Sequence, residues 1–211
     1  MTRLMIAGGA AAVAALLSSC TTMSKDQCLA GAWGEKGYAD GASGYPMTRL
    51  DDHAKACAKY QVAPNPAAYG SAREDGLRTY CTFERGWAEG RAGNTYYGVC
   101  RPEEEQAFLP AYQDGRRLHE VEDAFEAAQG ALRSAEARID NREDKLEAKQ
   151  NELRGEGLTD EQRDRIRDRI QEVRGEIRDA RRNARDARDS LDQAEWDVRR
   201  VRRELSGRYP V

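Results

Sequence analysis

Aromatic residues are scarce in this chain: three Trp, nine Tyr and three Phe make up 7% of its 211 residues. With charged residues at 34%, that poverty argues against one compact globule, while the patterning is too regular for a disordered chain. A net charge of one sign is also missing, since 34 Lys+Arg face 37 Asp+Glu. There is therefore no global electrostatic case for nucleic acid as a partner. Histidine occurs twice, at His53 and His119, and no G-x-S-x-G frame accompanies either. No C-x-x-C pair exists, which argues against a zinc site. No apolar run reaches the roughly 20 residues that a membrane-spanning helix needs.

The one uncharged apolar run is Leu4 to Leu17, behind Arg3. Its length and charged flank match the h-region and n-region of a secretory signal. It is followed by Leu17-Ser18-Ser19-Cys20, which resembles the lipobox of bacterial lipoproteins. That resemblance implies removal of residues 1–19 and acylation of Cys20, which becomes the first residue of the mature chain. Residues 20–27 are then expected to be a short lipidated tether. Thr21 lacks the aspartate that resembles an inner-membrane retention signal. In a Gram-negative host, this favours the outer membrane, facing the periplasm.

Removing Cys20 from the count of five leaves Cys28, Cys57, Cys81 and Cys100. An even remainder in an exported chain reads as two disulfides, with three connectivities open. Sequential pairing, Cys28–Cys57 with Cys81–Cys100, closes the shorter loops and is the favoured expectation. Each bridge would contribute about 3 kcal/mol by constraining the unfolded chain.

Residues 28–112 read as a disulfide-stapled head rich in glycine and aromatics. Trp33 to Gly41 (WGEKGYADG) is loosely echoed by Tyr69 to Gly76 (YGSAREDG), Trp87 to Gly90 (WAEG) and Tyr112 to Gly115 (YQDG). Such spacing suggests short helices or turns whose glycines serve close packing and helix ends. The blocks YGSAREDGLRTYC (69–81), GWAEGRAGNTYYGVC (86–100) and FLPAYQDGR (108–116) stand in the same order as blocks of a known family. With Trp33 to Gly44 and His53 to Cys57, they resemble the bacterial lipoproteins grouped as domain of unknown function 2799. That resemblance covers most of residues 28–118 and implies a compartment and an architecture, but no activity.

Residues 113–206 are almost entirely helix-type, and Pro110 and Gly115 mark the transition, although Pro102 could already open a helix. Leu118, Val121, Phe125, Ala128, Leu132, Ala135 and Ile139 recur at three and four residues. Arg142 and Lys149 interrupt that seam before Leu146 and Leu153. After Gly155-Glu156-Gly157, Thr159 to Gln162 has the form of a capping box. A second seam then runs unbroken from Ile166 to Leu205, as in a coiled coil. The turn near 155–158 implies an antiparallel hairpin, with 207–211 as a tail. A pairing centred on residue 156 would set Ile177 opposite Ala135, Ala180 opposite Leu132 and Ala187 opposite Phe125. The fold class expected is mainly α: the stapled head followed by a long antiparallel coiled-coil hairpin.

No residue pattern points to catalysis, a cofactor or a bound metal. The glycine runs at 37–44 and 90–98 are neither G-x-G-x-x-G nor G-K-[ST]. The Asp-Gly pairs at Asp40, Asp75 and Asp114 fall short of a calcium loop. Acidic residues interleave the arginines of 181–203, which reads as a solvated, ion-paired helix face. The expected function is that of a membrane-anchored envelope lipoprotein. The bilayer would be its partner through Cys20, and an envelope protein through the hairpin, acting as spacer or docking surface. The alternative is a ligand- or glycan-binding module using Trp33, Tyr38, Tyr69, Trp87, Tyr96 and Tyr97.

Overall fold

The computed structural model of the chain describes residues 22–210. The expected signal segment 1–19 and the expected lipidation site Cys20 lie outside the described residues. Those described form seven helices and no strand: α1 (Lys25–Leu29), α2 (Trp33–Ala42), α3 (Arg49–Ala58), α4 (Pro66–Tyr80), α5 (Phe83–Arg91), α6 (Pro102–Leu153) and α7 (Asp160–Leu205). They divide into two compact units, one through Leu77 and one from Arg78 onward.

The first unit begins earlier than a tether would allow. Ser24 and Gln27 form a capping box that starts α1, and Met23 is 1% exposed, packed beside Cys57. An apolar side chain next to a good cap is enough to fold this stretch, so residues 22–27 are structure rather than linker. The Cys28–Cys57 disulfide joins α1 to α3. Around it, Trp33, Leu50 and Tyr69 complete the core.

The second unit holds the Cys81–Cys100 disulfide, so the sequential connectivity is the one present. Thr82 caps α5 by accepting the Arg85 amide. Next, α6 runs unbroken for 52 residues from Pro102 at its first turn, where Glu103, Glu104 and Glu105 face the positive end of the helix dipole. The expected boundary at 112/113 therefore has no counterpart in the backbone. Pro110 sits inside α6, and both it and Gln106, whose carbonyl loses its partner, are exposed to water. Gly115 does not end a helix but admits one, since a Cβ there would lie 2.6 Å from the Trp87 carbonyl oxygen.

The two units share one construction. In the first, α2 and α4 cross so closely that a Cβ on Gly37, Gly41 or Gly76 would fall 2.1–2.2 Å from a backbone oxygen of the other helix. Those oxygens belong to Tyr69, Arg73 and Tyr38. In the second, Gly86, Gly90 and Gly115 admit the carbonyls of Phe108, Tyr112 and Trp87 in the same way. The sequence echoes sort accordingly: GYADG of α2 pairs with GWAEG of α5, and AREDG of α4 with AYQDG of α6. In each unit a disulfide ties the chain before the first crossing helix to the chain before the second.

Beyond α5, α6 and α7 pack against each other as a helical hairpin. Its connection is Arg154–Thr159, with Gly157 at φ +76° and the Thr159–Gln162 capping box formed as expected. Along α7, Ile166, Ile170, Val173, Ile177 and Ala180 are buried. The helices run antiparallel, because Arg142 meets Glu176 at 2.8 Å, Glu143 meets Arg181 at 2.7 Å and Glu136 meets Arg188 at 2.9 Å. These pairs correct the register. A pairing centred on residue 156 would place Glu176 across from residue 136 and Arg181 across from residue 131. The chain instead reverses closer to the start of α7, so Ile177 does not face Ala135 and Phe125 shares a groove with Val198 rather than Ala187. Nothing in the structure explains Gly130 and Gly175, whose Cβ positions are open apart from the ends of arginine side chains.

Candidate functional site

The six aromatics expected to form a ligand surface do not share a surface. Trp33 and Tyr69 are core residues of the first unit, 3% and 0% exposed. Tyr96 sits in an aromatic cluster with Phe108 and Tyr112 in the second. Its hydroxyl donates to Glu105 at 2.7 Å and accepts the Cys100 amide. Burial, then that bond to Glu105, pushes its pKa up to about 12. Trp87 lies under the ring of Tyr209. Tyr38 and Tyr97 stay open to solvent, one in each unit.

The first unit encloses a polar cluster. The carboxylate of Asp40 accepts the hydroxyl of Tyr69 at 2.7 Å and lies 2.6 Å from Nε2 of His53. All three are at least nine-tenths buried. Burial and then the Asp40 hydrogen bond push the Tyr69 phenol well above its ordinary range. Nearby, buried Arg73 donates its Nε to the Tyr45 carbonyl at 2.8 Å. The Asp–His pair has the first two members of a catalytic relay, but His53 is sealed from solvent and its Nδ1 has no partner among the described residues. Buried hydrogen bonds of this cluster join α2, α3 and α4.

In the second unit Glu89, 8% exposed, stands where Asp40 stands in the first, just before the second crossing glycine. It pairs with Arg85 at 2.8 Å and accepts from the Asn94 amide at 2.7 Å. Further along, Glu122 of α6 joins three helices, meeting Arg91 of α5 at 2.5 Å and Arg202 of α7 at 2.7 Å. These residues and Phe125, Gln129, Val198 and Arg199 line an open groove of about 540 Å³. Its arginines are already engaged: Arg199 with Glu195, the other two with Glu122. His119 pairs with Asp123 at 3.2 Å. Among the described residues no cluster of His, Cys, Asp or Glu is placed to hold a metal ion. No helix among them is long and apolar enough to cross a membrane.

The end of the chain, expected as a tail, is docked. Tyr209 is 5% exposed, stacked on Trp87 and Phe83, and its hydroxyl donates to Asp114 at 3.0 Å. Arg208 reaches the same carboxylate at 3.0 Å. Sequence reasoning missed this contact and the two buried acids. The acids had a signal, the shared Y-A-D-G and W-A-E-G blocks; the docked tyrosine had none.

These features define a mainly helical, doubly disulfide-bonded protein in which glycine-crossed helix pairs precede a helical hairpin. Residues 32–117 match the model of the family described as a protein of unknown function (DUF2799), and the match supports assigning that stretch to the family. The match spans both glycine crossings and ends where the hairpin seam begins. No curated protein and no solved structure matches the chain.

Proposed function

We propose that the chain is a non-catalytic envelope lipoprotein, anchored by acylated Cys20, whose hairpin acts as a spacer or docking rod. The observation that carries this reading is the hairpin itself. Among the described residues α6 is the helix that packs along α7, and charged pairs such as Glu143–Arg181 and Glu136–Arg188 lock the register. A seam of 3–4 spacing over that length is best read as an antiparallel coiled coil, at about 1.5 Å per residue a rod of roughly 70 Å. Enclosed chemistry at His53 supports a role without catalysis. The alternative of a ligand surface loses four of its six aromatics to packing.

Anchoring follows from Leu17-Ser18-Ser19-Cys20, and the fold starts at Met23, leaving almost no slack between lipid and domain. In a Gram-negative host, Thr21 in place of an aspartate favours the outer membrane's periplasmic face. Cys20→Ser should release the protein from membranes or leave it unprocessed. Unchanged membrane fractionation at mature length would refute the anchor. Replacing 132–190 by a short turn keeps the base around Glu122 and removes the rod. Crosslinks from photoreactive residues at 143 and 188 to an envelope protein are the result expected, with that protein no longer co-purifying with the deletion variant; their absence throughout would defeat the docking reading.

A further inference from the structure

The two copies of this construction differ in what covers their outer faces. The outer face of the α5–α6 crossing carries Phe83, Trp87, Ala111 and Asp114. The end of α7 covers it: Ala111 is 0% exposed, and Arg208 and Tyr209 both reach Asp114. Aligning the crossing glycines gives the counterparts in the first unit as Gly34, Tyr38, Ala72 and Asp75. The backbone frame beneath is the same, because Gly76 packs against the Tyr38 carbonyl as Gly115 does against that of Trp87. Yet Tyr38 is 47% exposed and Ala72 only partly buried. Gly34 stands in place of Phe83 and leaves open the side of the slot where that ring would lie. The rim also carries exposed Glu35.

We propose that this α2–α4 face is a docking surface for a helix end of a partner protein presenting a tyrosine beside an arginine. That is the chemistry Arg208 and Tyr209 supply on the second unit. A ring stacks on Tyr38, and the acidic rim suits the neighbouring cation. The occupant is a different protein, because the chain's own Tyr209 is buried and so is withheld from a second copy. This proposal is independent of the hairpin reading, and either can fail alone.

The probe is a labelled peptide of residues 196–210, which carries the template chemistry, titrated by fluorescence anisotropy against the full oxidised chain in detergent. Saturable binding is expected, with Tyr38→Ala in the protein weakening it roughly tenfold, the scale of one aromatic pair. Tyr209→Ala in the peptide should do the same. Tyr38 is half exposed, so its replacement leaves the fold intact, which a circular dichroism melt checks. No saturable binding up to about 1 mM overturns the proposal. So does binding that ignores Tyr38→Ala and instead responds to Trp87→Ala, since the peptide would then be exchanging with the chain's own tail.

Discussion

Tyr209 lies flat on Trp87, their ring centroids 4.0 Å apart and their planes 11° from parallel. This contact ties the last described turn of the chain to α5, the shortest helix of the second unit. Tyr209→Ala removes a nearly buried ring and should cost about 2–4 kcal/mol, near the lower range for aromatic truncations in cores. Tyr209→Phe keeps the stack and loses one hydrogen bond to Asp114, costing about 1 kcal/mol. Urea unfolding followed by Trp87 fluorescence measures both. Equal losses for the two variants would mean the hydroxyl, not the ring, holds the tail.

The crossing glycines and the rod glycines should respond oppositely to alanine. At Gly37 or Gly90 a Cβ meets a carbonyl oxygen 2.2 Å away, and backbone must shift to admit it. Overpacking of that kind costs about 3 kcal/mol or more. At Gly130 and Gly175 a Cβ meets nothing closer than a flexible arginine end. There alanine should stabilise by about 0.5–1 kcal/mol through helix propensity. Thermal melts of the four single variants decide it. A loss at Gly130 similar to that at Gly37 would point to an unrecognised contact on the rod.

What was legible in the sequence was local or patterned. The Thr159 capping box and the seam of α7 follow from spacings within one or two turns. The disulfide pairing follows from loop length. The rest failed for physical reasons that can be named. Pro110 and Gly115 read as breakers because each is unfavourable in an isolated helix; here water serves one and a crossing helix requires the other. Trp33 and Tyr69 read as surface because the head is poor in apolar residues, but that scarcity is what drives its aromatics inward. Tyr209 meets Asp114 across 95 positions, and no periodicity extends into a tail that short.

The hairpin register gives a separation test. Cysteines at 143 and 181 replace a pair whose long side chains meet, so a short bis-maleimide should join them while the native disulfides stay closed. Cysteines at 135 and 177, neighbours in a pairing centred on residue 156, should not. Mass mapping of the oxidised protein distinguishes the two. Crosslinking of the second pair alone would restore the symmetric register and remove the Arg142–Glu176 contact.

Removing one bridge tests how far each staple matters. The Cys28–Cys57 loop separates its ends by 29 residues and the Cys81–Cys100 loop by 19. Replacing either pair by serine should cost about 3 kcal/mol, slightly more for the longer loop. Cys28 and Cys57 are both 0% exposed beside Met23, against 6% and 8% for Cys81 and Cys100, so serines at the first pair bury their hydroxyls more completely. The first pair should therefore cost somewhat more. Denaturant melts of the two double variants give the comparison, and equal losses would mean the buried site relaxes to hydrate its serines.

Glu122 supplies the pH dependence. Burial pushes its pKa up, but hydrogen bonds from Arg202 and Arg91 outweigh that and hold it below the ordinary 4.5. A carboxylate depressed in the folded state stabilises the fold above its unfolded pKa. That contribution is lost as pH falls through the folded value. The wild type should thus shed this part of its stability below about pH 4.5. Glu122→Gln lacks it at every pH, so the variant should be less stable at pH 7, with the gap narrowing as the medium is acidified. Urea midpoints at several values between pH 7 and 3 measure that gap. A gap that stays constant to pH 3 would show that the side chain's shape, and not its charge, joins α5, α6 and α7.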